Sequence, residues 1–410
     1  MVEESYKKSG NSYSGNSYVI ALIFMVSLFF LFGFVTVMND ILIPHLKGLF
    51  DLSNVEAMLV QFCFFGAYFI MSLPAGWLLS KIGYKRGIVL SLSVVGAGLL
   101  LFVPAASLIS YPFFLFALFI IGSGITVLQV AANPYLSLLG PIESGSTRIN
   151  LAGGFNSLAA TIGPMIGAYF IFIDPTSSSA AKAAATQIPY LGLAVFVFIL
   201  AIIFSIIKLP QVLDKTGDQV HGNIWRFLHL KLGALAIFFY VGAEVAVGSL
   251  LIGYMSLPEN GSLDASTAAK YVSYYWGSAM VGRFFGFIFL SKIKTSLTLS
   301  VAAGFGLLFT TIALFISGPQ SIWCIVLLGL CHSVMWPCIF PLSIEGLGKF
   351  TSLGSAMLVM MVVGGALIPV LQGYIIDIKS YKASFIIELV CYGYILFFGI
   401  KGYKNKVAPL

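Results

Sequence analysis

The sequence predicts an all-α membrane protein of about twelve transmembrane helices, and three observations carry that expectation. Of its 410 residues 59% are hydrophobic and only 9% charged, with a mean hydropathy of +1.00. A soluble domain carries about a quarter charged residues, because its surface has to be solvated. The apolar residues also come in continuous runs of about twenty, the length a helix needs to cross the hydrocarbon, rather than in the alternating ten-residue segments of a membrane barrel. The third observation is where the positive charge falls, taken up below.

The runs lie near 18–46, 54–79, 86–108, 112–139, 149–173, 189–208, 231–256, 268–290, 296–317, 321–344, 354–376 and 383–401. The polar leader with Lys7 and Lys8 does not read as a cleavable signal peptide, so the first run is expected to remain as span 1. With the N-terminus inside, sixteen of the 22 Lys and Arg residues fall on the cytoplasmic side and five in outer loops, leaving Arg283 within a span. This positive-inside bias places both termini in the cytoplasm, as expected of a multi-pass protein of the cell inner (cytoplasmic) membrane. It also accounts for the net charge of +7 without a nucleic-acid partner. All five cysteines lie in apolar runs without metal-ligand spacing and read as packing residues.

The most polar internal stretch, 209–230, is read as a cytoplasmic linker between an N-terminal six-helix half (1–208) and a C-terminal one (231–410). Weak repetition supports a duplicated unit. Ser-Lys-Ile closes spans 2 and 8 at a separation of 211 residues, and the polar end of span 4 at Asn133 is followed 203 residues later by that of span 10 at Trp336. Two similar spacings plus the linker favour the major facilitator fold, in which two halves rock about a central site. Glycine pairs such as Gly153-Gly154 and Gly364-Gly365 suit close helix packing in lipid.

Ionisable and amide side chains inside the spans are the candidate functional residues, since each costs several kcal/mol in hydrocarbon unless it faces a cavity or a partner. Asp40 shares a face with Gly33 and Thr36 in span 1 and is either an aspartate solvated near Pro44 or a buried cation or substrate ligand. In span 4, Thr126, Gln129 and Asn133 share a face, and hydroxyl plus amides suit sugar hydroxyls, which need donors and acceptors; interhelical hydrogen bonding is the rival use. Asn39, Gln61, Asn156, Glu244, Trp276, His332, Trp336 and Gln372 complete the sugar-binding candidates, the indoles offering a flat apolar surface to a pyranose ring. A lone His332 also fits a simple helix contact. Arg283 requires a partner, with Glu244 and Glu345 the two acids in reach, and reads as half of a structural ion pair.

VMNDILIPHLK, LVQFCFFGAYFIMSLPAGWLLSKIGYKRG, LQVAANPYLSLLGP and FNSLAATIGP resemble the fucose:proton symporter family of the major facilitator superfamily, and the likeness continues through GAEVAVGS, VGRFFG and GGALIPVLQGYIID. GYKRG also resembles the superfamily's loop 2–3 motif, with Ser80 where an aspartate is usual. In that family the aspartate matched by Asp40 and a glutamate in span 4 carry proton coupling or sugar binding, and the asparagine matched by Asn156 is implicated with the sugar. Here the glutamate is replaced by Gln129, whose amide does not titrate near neutral pH. With GAEVAVGS, this is similar to the glucose/galactose transporter branch, some of whose members couple to sodium.

The resemblance implies a monomeric cation-coupled symporter of a glucose- or galactose-like hexose, sodium favoured over proton, with no cofactor beyond the coupling ion. Asp40, with Gln129 or Asn133, would be the cation site, since sodium prefers oxygen ligands. Proton-coupled fucose-type symport and proton-driven export by an Asp40–Glu244 pair are the rival readings. An enzyme is not expected, because no nucleophile–base or metal-ligand constellation lies at either membrane face.

Overall fold

The computed structural model describes residues 15–139, 145–172, 174, 176–207, 224–290, 293–347 and 350–404, and no strand occurs among them. The first half contains α1 (Gly15–Phe50), α2 (Asn54–Ala57), α3 (Leu59–Leu100), α4 (Phe102–Ser107), α5 (Tyr111–Leu138), α6 (Gly145–Ile171), α7 (Ser179–Ala185) and α8 (Gln187–Ile206). The second contains α9 (Leu228–Met255), α10 (Ala265–Leu290), α11 (Thr295–Phe315), α12 (Pro319–Ile344), α13 (Thr351–Met360), α14 (Gly364–Ile378) and α15 (Tyr381–Ile400). Lys7 and Lys8, and the expected linker as far as residue 223, lie outside the described residues.

Two expected boundaries change. Spans 54–79 and 86–108 were expected to be separated by a loop, but α3 runs through both and is interrupted only at Gly83, with φ 77° and ψ 167°. That backbone region is essentially closed to residues with a Cβ, so one glycine does the work of a loop. Span 354–376 is broken by a 3-10 turn at Met361–Val363, between α13 and α14. Dividing α3 at Gly83, and counting α13 with α14, gives twelve passes. The fold class read from the sequence therefore holds.

Ten stretches among the described residues are long and apolar enough to cross a membrane. The two remaining passes, α6 and α10, are the least apolar, and they pack on each other across the centre of the bundle. Between the halves α14 also packs on α3. The two cross-half packings are related by six passes: the fifth on the eighth recurs as the eleventh on the second. Lipid-facing surface is supplied by stripes such as Val195, Ile199, Ile202 and Ile206 on α8, all exposed and spaced by three or four residues. At the other extreme α9 is the most enclosed of the ten, because Gly233, Ala236, Gly242, Ala243, Ala246 and Gly248 let neighbouring backbones approach.

Gly83 has no neighbour within 4 Å of where a Cβ would stand, so a substitution there costs conformation alone. We expect Gly83→Ala to destabilise the protein by about 1–3 kcal/mol, the cost of forcing a Cβ into that backbone region. Gly76, equally uncrowded and helical, is the control. Thermal unfolding in detergent should show a lower midpoint for Gly83→Ala than for Gly76→Ala.

Candidate functional site

The first polar group is built on Asp40, late in α1 and 3% exposed. Gln61 Nε2 of α3 donates to Asp40 Oδ1 at 3.2 Å and to Ser249 Oγ of α9 at 2.7 Å, using both amide protons. Ser249 Oγ lies 3.2 Å from the same Oδ1, and Trp276 Nε1 of α10 donates to Oδ2 at 3.1 Å. Asn39 closes the set by donating to Gln61 Oε1 at 3.4 Å. A Cβ on Gly248 would stand 2.9 Å from Asp40 Oδ2, so only glycine lets α9 come this close to the carboxylate. Asp40 is thus a buried acceptor tied to both halves, not an aspartate solvated near Pro44. Among the described residues its partners are neutral donors; the ion pair found there is Arg283–Glu244.

The second group surrounds that pair. Arg283 Nη2 of α10 stands 3.9 Å from Glu244 Oε1 of α9, which also accepts from Tyr240 Oη at 2.8 Å. The other guanidinium nitrogen crosses to the first half, donating to Ser157 Oγ at 2.5 Å and the Gly153 carbonyl at 3.3 Å on α6. Of the two acids offered by the sequence, the carboxylate facing Arg283 is Glu244. Glu345 instead caps the end of α12, exposed, with its carbonyl 3.0 Å from His229 Nε2. His332 is fully buried with both ring nitrogens engaged, Nδ1 with Tyr275 Oη and Nε2 with Tyr392 Oη, each at 2.7 Å. Trp336 packs beside Tyr240 and Phe340.

The remaining candidates are spread out. Gln129 Nε2 donates to Tyr68 Oη at 2.5 Å, so in this arrangement the amide serves an α5–α3 contact and not Asp40. Thr126 bonds back to the Gly122 carbonyl, and Asn133, half-buried, lies one turn beyond Gln129 on α5. Asn156 Nδ2 donates to the Phe29 carbonyl at 3.0 Å, joining α6 to α1. Gln372 bonds the Ser384 carbonyl and Glu388 Oε1, both at 3.2 Å, inside the second half. Residues that sequence reasoning missed are Ser249, Tyr68, Tyr275, Tyr392 and Glu388. Only Glu388 had a signal, an acid within the apolar run FIIELVCYG. The hydroxyls did not, because Ser and Tyr are common in every span.

At the end of the bundle opposite the termini the halves are locked together. Asp377 of α14 accepts from Asn54 N and Nδ2 through Oδ1, at 2.8 and 2.7 Å, and from Val55 N through Oδ2 at 2.8 Å. These are free amides at the start of α2, where a carboxylate also meets the positive end of the helix dipole. Asn54 Oδ1 in turn accepts from Lys47 Nζ at 2.6 Å and Tyr381 Oη at 3.1 Å.

A group of this kind, a partnered carboxylate between two six-helix halves with one end sealed, sets the comparison with known proteins. The family model described as Major Facilitator Superfamily matches residues 25–369. The chain belongs to that superfamily. Its members are transporters, and this chain is a multi-pass membrane transporter rather than an enzyme. It is 45% identical over 396 residues, 96% of each chain, to a protein of Brucella abortus biovar 1 (strain 9-941) named glucose/galactose transporter. To the L-fucose-proton symporter of Escherichia coli (strain K12) it is 33% identical over 417 residues, 96% of this chain and 94% of that one. A crystal structure of the E. coli fucose:proton symporter FucP superposes with a TM-score of 0.73 at 31% identity, covering 93% of this chain and 98% of that one.

Two predictions follow from the geometry within this superfamily member. Because Arg283 holds α6 as well as Glu244, Arg283→Gln should lower the unfolding midpoint more than Glu244→Gln does. The double change should stay near the Arg283→Gln value, whereas a pair serving only each other would recover. The second concerns the lock. Asp377→Ala should lengthen the distance between spin labels at Ala180 and Glu259, exposed positions at the sealed end of the two halves, as measured by pulsed electron resonance.

Proposed function

We propose that this transporter is a cation-coupled symporter of a glucose- or galactose-like hexose, with sodium favoured over proton, working by alternating access. The observation that carries the reading is Asp40, a buried carboxylate on α1 held by α9 and α10 of the opposite half. A cation arriving there displaces neutral donors that bridge the halves, so its occupancy bears directly on their relative position. The relatives' names support the substrate class: glucose/galactose in the more similar ones and L-fucose in the less similar.

Sodium is favoured by the chemistry around the carboxylate. Among the described residues no group of three His, Cys, Asp or Glu side chains gathers as for a transition metal. Oxygen donors for a hard cation come instead from Asp40, the Ser249 hydroxyl and, after rotation of its amide, the Gln61 carbonyl. The carboxylate that a fucose-type mechanism would use at position 129 is absent, and Gln129 cannot exchange a proton. The sugar would lie between Gln129 and Asn133 of one half and Glu244, Trp276 and Trp336 of the other. Asn39 and Gln61 would connect it to the ion. Asn156, His332 and Gln372, whose polar atoms are engaged elsewhere, would act as support. We assign the protein to the inner membrane with both termini cytoplasmic, from the positive-inside distribution of charge, and take it to work as a monomer.

Calorimetry in sodium against choline at constant pH tests this reading. Sodium should tighten glucose or galactose binding, and the sugar should tighten sodium binding by the same factor. Asp40→Asn should abolish gradient-driven accumulation in proteoliposomes while the protein stays folded. Equal sugar affinity in both salts, with uptake driven by a proton gradient alone, would replace sodium by the proton of the fucose-type relatives. Normal concentrative uptake by Asp40→Asn would remove Asp40 from the mechanism.

A further inference from the structure

A second buried acid lies far along the chain from Asp40, in the last helix. Glu388 of α15 is 1% exposed. Its Oε1 accepts from Gln372 Nε2, while its Oε2 has no hydrogen-bond partner, and neither has Gln372 Oε1. Both residues border a cavity of about 20 Å³ between α9, α12, α14 and α15, lined otherwise by Tyr254, Ser384 and apolar side chains such as Leu250, Ile325 and Phe385. That volume holds one water molecule. Two acceptor oxygens that face no donor, on residues almost wholly buried, call for a group that supplies hydrogen.

We propose that Glu388, with Gln372, is a proton-binding site of the second half, separate from the Asp40 group. A bare carboxylate this deep costs several kcal/mol without a counter-charge, and among the described residues no basic side chain pairs with it. Sodium suits the place poorly. A hard cation gathers many oxygens, and here Tyr254 Oη is bonded to Ser321 and Ser384 Oγ donates to the Tyr381 carbonyl at 2.7 Å. Protonation suits it well. A proton delivered by water forms an O–H bond at Glu388 Oε2, turning an orphaned acceptor into a donor. A water in the cavity then accepts from that O–H and donates to Gln372 Oε1, so both unpaired atoms are satisfied at once.

The surroundings are arranged to hold a neutral acid. The titratable groups around it are Tyr254 from α9, Tyr275 from α10, His332 from α12, and Tyr381, Cys391 and Tyr392 of α15 itself; α14 contributes Gln372. None is a carboxylate or a fixed cation. Tyr275 Oη lies 3.0 Å from the Glu244 carbonyl and 2.7 Å from His332 Nδ1, so its one proton serves one of these two contacts. His332 Nε2 lies 2.7 Å from the Tyr392 hydroxyl. Tyr392, one turn from Glu388 on α15, places its hydroxyl within reach of both the His332 ring and the acid. The same series of contacts runs through Tyr275 to the backbone carbonyl of Glu244 on α9, the residue whose carboxylate faces Arg283.

Infrared spectroscopy of the full-length protein in lipid vesicles tests this directly. A protonated buried carboxyl has its own carbonyl stretch, shifted in deuterated water and lost on ionisation. We expect that band at neutral pH in choline buffer, lost in Glu388→Gln and kept in Asp40→Asn. Gln372→Met, which removes the neighbouring amide but keeps the acid, should move the band without abolishing it, and serves if Glu388→Gln does not fold. A spectrum unchanged by both Glu388→Gln and Gln372→Met would overturn the proposal. Loss of the band in the wild-type protein when sodium replaces choline would overturn it too, by showing a sodium site. Failure of sodium to tighten sugar binding concerns Asp40 and leaves this band where it is.

Discussion

A carboxylate in hydrocarbon has to find its hydrogen-bond donors within the protein, and Asp40 finds them on three other helices. Much of the interior follows from that requirement. Gln61 must point both amide protons toward it and Ser249, which leaves its carbonyl for Asn39. Residue 248 must lack a side chain, or α9 could not approach. Trp276 must turn its N–H inward, which commits α10 to the same meeting point. Four passes drawn from two halves are thus fixed by one charge, and a change of state at that charge is felt by all of them.

The seal at the far end works by a different economy. Asp377 satisfies amides that the start of a helix leaves open anyway, and it does so across the gap between halves. Its neighbours Lys47 and Tyr381 meet on the same asparagine side chain. Because these groups lie near water, parting them exposes nothing that solvent cannot satisfy. The Asp40 group has no such alternative, since Asn39, Asp40, Gln61 and Ser249 are all buried. A lock that opens cheaply, beside a centre that opens only when something replaces its contacts, is a sound division for a carrier that must not leak.

The sequence made legible what depends on composition and period. Twelve passes could be read, and so could the presence of Asp40, Glu244 and Arg283 within spans, because a charge within an apolar run is conspicuous. What could not be read is which groups meet. Gln129 looked like a partner for Asp40 but bonds Tyr68, and Asn156 looked like a ligand but holds α1 against α6. Both pairings turn on how helices rotate about their axes, which a hydrophobic run without polar periodicity does not specify. The break at Gly83 was hidden for the opposite reason. GYKRG reads as a loop of ordinary length, and only a backbone angle shows that one residue suffices.

The two acids where the halves meet follow the spacing of the repeat. Glu244 follows Asp40 by 204 positions, and His332 and Trp336 follow Gln129 and Asn133 by 203, close to the spacings that first suggested a repeated unit. The chain therefore carries an acid at matching places in its first and seventh passes, and polar or aromatic residues at matching places in its fourth and tenth. The two acids have since diverged in their surroundings. Glu244 faces a guanidinium, which neutralises it and ties it to α6 through Ser157. Asp40 faces an indole, a hydroxyl and an amide, none of which carries charge. Burial leaves a carboxylate in need of a positive partner. In the second half that partner is Arg283, and in the first the neutral donors around Asp40 leave the place that the coupling cation proposed above would take.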